Sequence, residues 1–304
     1  MKLKKDKPLI GNRIGIFGKG GSGKSTIAAL LSQALAREGY QVVLIDADST
    51  NIGLSQVLGF EKPPKPLLEY FGGMVFSGGK VTCPVDDPTL LENSIISIDM
   101  LPKNYYVQGN GVTFLIAGKI GDIGPGAGCD GPVAKIARDF RILFKKKPVV
   151  TLVDFKAGFE DSARGAITSL DWAIVIVDPT IAAIEMASSM KSLVEQIRAG
   201  KLPATMHLEN NNLVSLANSL YRDARIKGVL VILNKIDGSD MENLIRVELL
   251  KRGIDPIGVV HENASISISW LKGLSLELSN SNRDIEIIVN AIQAQEAIKE
   301  IEKT

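Results

Sequence analysis

Residues 18–26 read GKGGSGKST. They follow a short β-rich run, RIGIFG (13–18), and lead into a stretch with helical spacing, TIAALLSQALAREGY (26–40), in which Gly39 stands as the C-terminal cap. Strand, glycine-rich turn and helix in that order are the context a phosphate-binding loop requires. Gly20, Gly21, Ser22 and Gly23 let main-chain N–H groups turn inward around phosphate oxygens. Lys24 then neutralises the β- and γ-phosphates, Ser25 offers a hydroxyl to Mg²⁺, and the helix from Thr26 points its positive end at the anion. Such a loop needs one lysine, and Lys24 fills that place; Lys19 is a second one.

Outward from this loop, the apolar runs QVVLIDAD (41–48), VTFLIAG (112–118), PVVTLVDF (148–155), WAIVIVD (172–178), GVLVILNK (228–235) and PIGVVH (256–261) lack polar alternation. That pattern predicts strands covered on both faces. Helical spacing lies between many of them, as at 132–145, 181–198 and 241–252. The order implies an α/β fold: one doubly wound, mostly parallel sheet flanked by helices. The expected layout is a single domain over residues 13–304 behind a basic, solvated tail at 1–12. A Pro- and Gly-rich insertion over the nucleotide edge is expected near 61–93, and an exposed connector at 200–212.

Composition narrows the partners. Among 304 residues, 35 Lys and Arg stand against 34 Asp and Glu, so no general electrostatic field favours nucleic acid or anionic lipid. No apolar run is long enough to span a bilayer. Two cysteines, Cys83 and Cys129, make no disulfide framework, which fits a cytoplasmic protein with reduced thiols. His207 and His261 show no metal-ligand spacing. Carboxylates do sit where a nucleotide site needs them: Asp46 and Asp48 end one strand run, and Asp154 ends another, followed by Gly158. Ligands of open α/β sheets bind at the carboxyl ends of strands. One Asp there holds the Mg²⁺ shell and another orients the attacking water.

With those residues in view, the loop has the form KGGxGK[ST] and resembles the deviant Walker A loop of the MinD/Mrp/nitrogenase iron protein group of dimeric P-loop ATPases, of the SIMIBI type; the resemblance runs from residue 13 to about 276. It implies that Lys19 reaches across a twofold interface to the partner's phosphates. It also implies that Asp48 positions the water and shares the Mg²⁺ shell with Ser25 and Asp154, and that Asn234 contacts adenine. NKID (234–237) is also the literal NKxD of GTPases, so Asp237 keeps GTP open beside ATP. Where the group often reads IPxD, this chain has VVHEN (259–263), with His261 for Pro and Asn263 for Asp.

Two further stretches resemble the CooC-type maturation ATPases of carbon monoxide dehydrogenase. DFKAGFEDSARG (154–165) is similar to their DMEAGxExxxRG, and GPGAGCDGP (124–132) to their GxGCxCP. The resemblance places Cys129 at the first cysteine of a pair that holds a metal at the dimer axis, with Ni²⁺ or Zn²⁺ as the implied cargo. Gly131 stands at the second. Two thiolates across a dimer make a poor closed site, so Asp130, Cys83 or a client protein would complete it. Cys129 just before a helix beginning at Pro132 also suits a thiol of lowered pKa, or simply a small residue in a tight loop. Cys83 reads as structural. The implied function is an ATP-induced homodimer that serves a client metalloenzyme, of the carbon monoxide dehydrogenase kind, as maturation factor or metallochaperone. Two other classes stand beside it. A MinD/ParA-like switch acting on membranes would need a basic amphipathic end, whereas RDIEIIVNAIQAQEAIKEIEK (283–303) reads as a helix packed on the sheet. An iron–sulfur reductase would need a cysteine after Gly158, where the chain reads FEDSARG.

Overall fold

The computed structural model describes residues 7–72, 80–119, 130–145, 149–276 and 282–302. Its strands are β1 (Arg13–Gly18), β2 (Gln41–Ala47), β3 (Ile95–Ser97), β4 (Val107–Gly109), β5 (Val112–Ile116), β6 (Arg141–Leu143), β7 (Val149–Phe155), β8 (Trp172–Val177), β9 (Gly228–Ile236) and β10 (Gly258–His261). Its helices are α1 (Lys24–Arg37), α2 (Leu54–Val57), α3 (Leu67–Tyr70), α4 (Gly131–Asp139), α5 (Glu160–Ala163), α6 (Ile181–Arg198), α7 (Asn211–Arg222), α8 (Ser239–Leu250), α9 (Ala264–Lys272) and α10 (Asn282–Ile301). Eight strands form one sheet in the order β10-β9-β8-β1-β7-β2-β5-β4, and only the β4–β5 pair is antiparallel.

The sheet is covered on both faces because its strands have two apolar faces. In β1, Ile14 and Ile16 pack with Ile27 and Leu31 of α1 and with Ile285 and Ile288 of α10. Phe17 turns the other way, among residues of α4 and α6, and stacks on Phe155 with ring centroids 4.6 Å apart. At Gly15 a Cβ would lie 2.5 Å from Leu170 Cδ1, so only glycine lets this central strand meet the loop behind it. The C-terminal helix buries Ile285, Ile288, Val289 and Ile292. At roughly 1.5–3 kcal/mol for each such side chain, that stripe is enough to hold α10 on the sheet. No helix among the described residues is long and apolar enough to cross a membrane.

Several expectations are corrected. The helix expected over 132–145 ends at Asp139, and residues 141–143 form β6, paired in parallel with β3. The buried Arg13 guanidinium donates to the carbonyls of Ala137 and Phe140, satisfying the helix end at that point. The connector expected over 200–212 gives way to α7 at Asn211, capped by Asn210 Oδ1, which accepts from Asn212 N at 2.8 Å. β4 joins β5 through Asn110 and Gly111, both at positive φ (50° and 80°). The tail is not wholly solvated: residues 1–6 lie outside the described residues, but Leu9 is fully buried and Gly11 N donates to Val149 O. Of the 61–93 stretch, the later part is tied to α4. Buried Lys135 donates to Thr82 Oγ1 and Asp87 Oδ2 (2.9 and 3.0 Å), and Arg138 donates to Thr89 O at 2.9 Å.

Candidate functional site

The glycine-rich loop leaves β1 in the centre of the sheet and enters α1. Gly23 has φ 92°, and a Cβ there would fall 2.2 Å from Asn234 Nδ2, so no other residue fits. That approach follows from a clamp at the end of β9. Asn234 Nδ2 donates to Ser22 O at 2.7 Å, and Lys235 Nζ donates to Gly21 O at 2.8 Å. Holding successive loop carbonyls outward turns the intervening N–H groups toward the hollow of the loop. Lys235 has φ 59°, and the β9–β10 register skips it. Lys24 is buried and donates to Lys19 O at 3.4 Å, which folds its ammonium back over the loop. Lys19 itself is exposed at the rim, and a Cβ on Gly20 would lie 3.9 Å from Ala157 Cβ.

Next to the loop, Ser25 Oγ donates to Asp154 Oδ2 at 2.6 Å and accepts from Asn51 Nδ2 at 2.7 Å. Asp154 is completely buried, and its Oδ1 has no hydrogen-bond partner. Burial first, and then the neighbouring Asp46, push the Asp154 carboxyl up to about 7. Asp46 is its register partner on β2. Asp46 Oδ2 pairs with Lys119 Nζ at 2.7 Å and its Oδ1 accepts from Asp48 N at 3.1 Å, yet burial still raises its carboxyl to about 6. Asp48 Oδ1 accepts from Thr50 N and Thr50 Oγ1 (3.0 and 2.7 Å), fixing the carboxylate in its own turn. A bare, buried carboxylate oxygen beside a serine hydroxyl and a second carboxylate fits a hard divalent cation such as Mg²⁺.

A second carboxylate joins both loops at this edge. Asp130, at the start of α4, accepts from Ser49 Oγ and from Lys156 Nζ. Burial pushes its carboxyl up, but the bonds from Lys156 and Ser49 outweigh that and hold it below the ordinary value. Cys129 lies outside the described residues. Its neighbour Gly131 abuts Cys83: a Cβ there would lie 2.7 Å from Cys83 Cβ and 2.8 Å from Sγ. Cys83 thus fills the space that a side chain at 131 would need. His207 Nε2 lies 2.9 Å from Val85 O, and His261 Nδ1 2.9 Å from Asp284 Oδ2. Among the described residues no group of three or more His, Cys, Asp or Glu gathers that could hold a metal ion by such side chains alone.

Sequence reasoning brought Lys24, Ser25, Asp48, Asp154 and Asn234 to one place. It missed Asn51, Lys119, Asp130 as a bridge, Lys156 and Lys235. A lysine just past a strand end, as at 119 and 156, was the readable signal; the partner of each was not.

The CobQ/CobB/MinD/ParA nucleotide binding domain matches residues 16–276. An uncharacterized ATP-binding protein of Methanocaldococcus jannaschii is 32% identical over 91% of this chain and 99% of its own length. The carbon monoxide dehydrogenase accessory protein CooC of Rhodospirillum rubrum is 30% identical over 61% of this chain and 70% of its own. Among solved structures, the MinC:MinD cell division complex of Aquifex aeolicus has the same fold, with a TM-score of 0.58 at 19% identity over 93% of this chain and 96% of that one.

Proposed function

The chain belongs to the CobQ/CobB/MinD/ParA nucleotide-binding family, and from that premise we propose that it is a Mg²⁺-dependent ATPase working as a nucleotide-gated homodimer in the maturation of a metalloenzyme. The observation that carries the ATPase reading is Asp154: completely buried, bonded to Ser25 through one oxygen and bare at the other, beside a buried Lys24. An unpartnered buried carboxylate oxygen costs stability, and a ligand that satisfies it accounts for its persistence.

In this reading the amides of Gly20, Gly21, Ser22 and Gly23, with Lys24 and Thr26, hold the phosphates. Ser25, Asp48 and Asp154 hold Mg²⁺, which when bound draws charge from the phosphate oxygens. Asp48, whose Oδ1 is engaged by Thr50, orients the attacking water through Oδ2. Lys19, exposed at the rim, is the deviant lysine that completes the partner's site. Because Asn234 donates its amide nitrogen to Ser22 O, its Oδ1 is left as an acceptor. That acceptor suits the amino group of adenine, but Nδ2 keeps a second N–H, so this bond does not by itself separate adenine from guanine and the preference for ATP rests on the likeness to ATP-binding relatives.

The maturation role rests on the likeness to the carbon monoxide dehydrogenase accessory protein, reinforced by the 154–165 match. Cys129 is the proposed soft ligand for Ni²⁺ or Zn²⁺, and a client of the carbon monoxide dehydrogenase kind the proposed recipient. Mixing Lys19→Ala with Asp48→Ala chains tests the dimer. If Lys19 acts in trans, each mixed dimer holds one intact site and turnover partly returns. If Lys19 acts in cis, the mixture stays inactive. For the metal role, reduced protein is titrated with Ni²⁺ and Zn²⁺, with and without ATP. Binding lost in Cys129→Ser supports it, and no binding in either state overturns it.

A further inference from the structure

Trp270 lies in α9, whose first turn is set by Asn263: its Oδ1 accepts from Ser265 N at 2.9 Å immediately after β10. This turn brings the helix back over the start of α1. There Trp270 Nε1 donates to Thr26 Oγ1 at 2.9 Å, across 244 residues of chain. The same ring rests on the end of the loop that carries Asp48 and Asn51, since a Cβ on Gly53 would lie 3.4 Å from Trp270 Cζ3. One side chain therefore touches both the last residue of the phosphate-binding loop and the turn that closes the 48–53 loop.

The direction of this bond has a chemical consequence. An indole N–H only donates, and a hydroxyl has a single proton with two acceptor positions. Thr26 Oγ1 must therefore accept from Trp270. Among the described residues it makes no other hydrogen bond, so its proton is left to donate elsewhere. Thr26 stands in the first turn of α1, at the end where an anion is favoured.

We propose that Trp270 is a positioning residue for the nucleotide: by occupying one acceptor position of Thr26, it directs the Thr26 hydroxyl proton at a phosphate oxygen, and it couples that contact to Gly53. The inference rests on the nucleotide reading of the site.

The test uses the full chain with Mg²⁺ and either ADP or a non-hydrolysable ATP analogue. Trp270→Phe keeps the ring face and removes the donor. It should weaken nucleotide binding by about fivefold to tenfold, the weight of one hydrogen bond. Thr26→Val should weaken it at least as much, and adding Trp270→Phe to Thr26→Val should cost nothing more. Thr26→Ser should restore the penalty for Trp270→Phe. The chain has only two tryptophans, and Trp172 is buried against Glu296 at 2.7 Å, far along the chain from the loop. A nucleotide-dependent change in tryptophan emission, absent in Trp270→Phe, is therefore expected in the wild type. If the penalties of Trp270→Phe and Thr26→Val multiply, or Trp270→Phe binds as the wild type does, the inference fails while the nucleotide reading stands. If the wild type binds no nucleotide, both fall. Should Trp270→Phe not fold, the emission of Thr26→Val decides: loss of the nucleotide response supports the coupling, and an unchanged response overturns it.

Discussion

Two buried carboxylates, at opposite ends of the same sheet, are treated in opposite ways. Glu296 of α10 meets the amino-terminal ends of β8 and β9. It accepts from Trp172 Nε1 at 2.7 Å and from Lys227 Nζ at 2.7 and 2.9 Å, and Lys227 also reaches Asn12 Oδ1 at 2.9 Å. Burial pushes its carboxyl up, but the bonds from Lys227 and Trp172 outweigh that and hold it below the ordinary value. Asp154, at the carboxyl end of β7, has one bonded oxygen and one bare, and its carboxyl is raised. A satisfied buried ion fastens a helix, whereas the bare oxygen of Asp154 is the one that the proposed Mg²⁺ would satisfy. The contrast separates the structural end of the sheet from the working end.

The largest effect is expected at the working end. Asp48→Ala should lower ATP turnover by about 10³-fold, within the range for loss of a group that handles the reacting water, while ATP still binds. Phosphate release and calorimetric titration measure the two quantities, and unchanged turnover would move the water-orienting role to another side chain. At the opposite end, Glu296→Leu leaves the half-buried Lys227 with Asn12 Oδ1 and, as its one remaining carboxylate among the described residues, Asp171 at 3.7 Å. Urea unfolding should show a loss of about 3 kcal/mol. Nucleotide affinity of the folded protein should not change; if it falls, the two ends are coupled and the contrast is broken.

A third outcome concerns pH. The Asp154 carboxyl is raised to about 7, and Asp46 to about 6, by burial first. A carboxyl raised in the folded state binds more protons there than in the unfolded chain, so stability falls as pH rises. The loss runs from the ordinary carboxyl range near pH ~4 up to about 7. In the absence of nucleotide, wild-type stability should decline across that window, and Asp154→Asn should flatten the decline. Binding of Mg²⁺ and nucleotide should release protons below pH 7 in the wild type. A decline equally steep in Asp154→Asn would remove Asp154 as its cause. The smallest effect is expected for exposed Asp237. Asp237→Ala should leave ATP turnover nearly unchanged; a loss of GTP affinity of about tenfold or more in competition against a labelled analogue would assign guanine instead.

Much of this was readable in advance, for physical reasons. Strands buried on both faces carry continuous apolar runs, so β1, β2, β5 and β7 to β10 announce themselves. A phosphate-binding loop needs glycines, a lysine and a hydroxyl at fixed spacing, so Gly20 to Thr26 do as well. Helix α7 did not, because NNLVSLANSLYR opens on two asparagines that continue the polar run before it, and only Ala217 of the helix is buried. The end of α4 did not, because its terminating partner, Arg13, belongs to the first strand.

The linear order of residue types thus determined the sheet, the loop and which acids lie at strand ends, since each depends on spacing within a few residues. Which oxygen of Asp154 is bare, that Asp130 joins Ser49 to Lys156, that Asn234 and Lys235 clamp the loop and that Trp270 meets Thr26 were decided only by the tertiary structure. Those contacts span from 26 to 244 residues of chain. Hydrogen bonds depend on distances of a few tenths of an ångström, and only the packed sheet brings such distant side chains within that range.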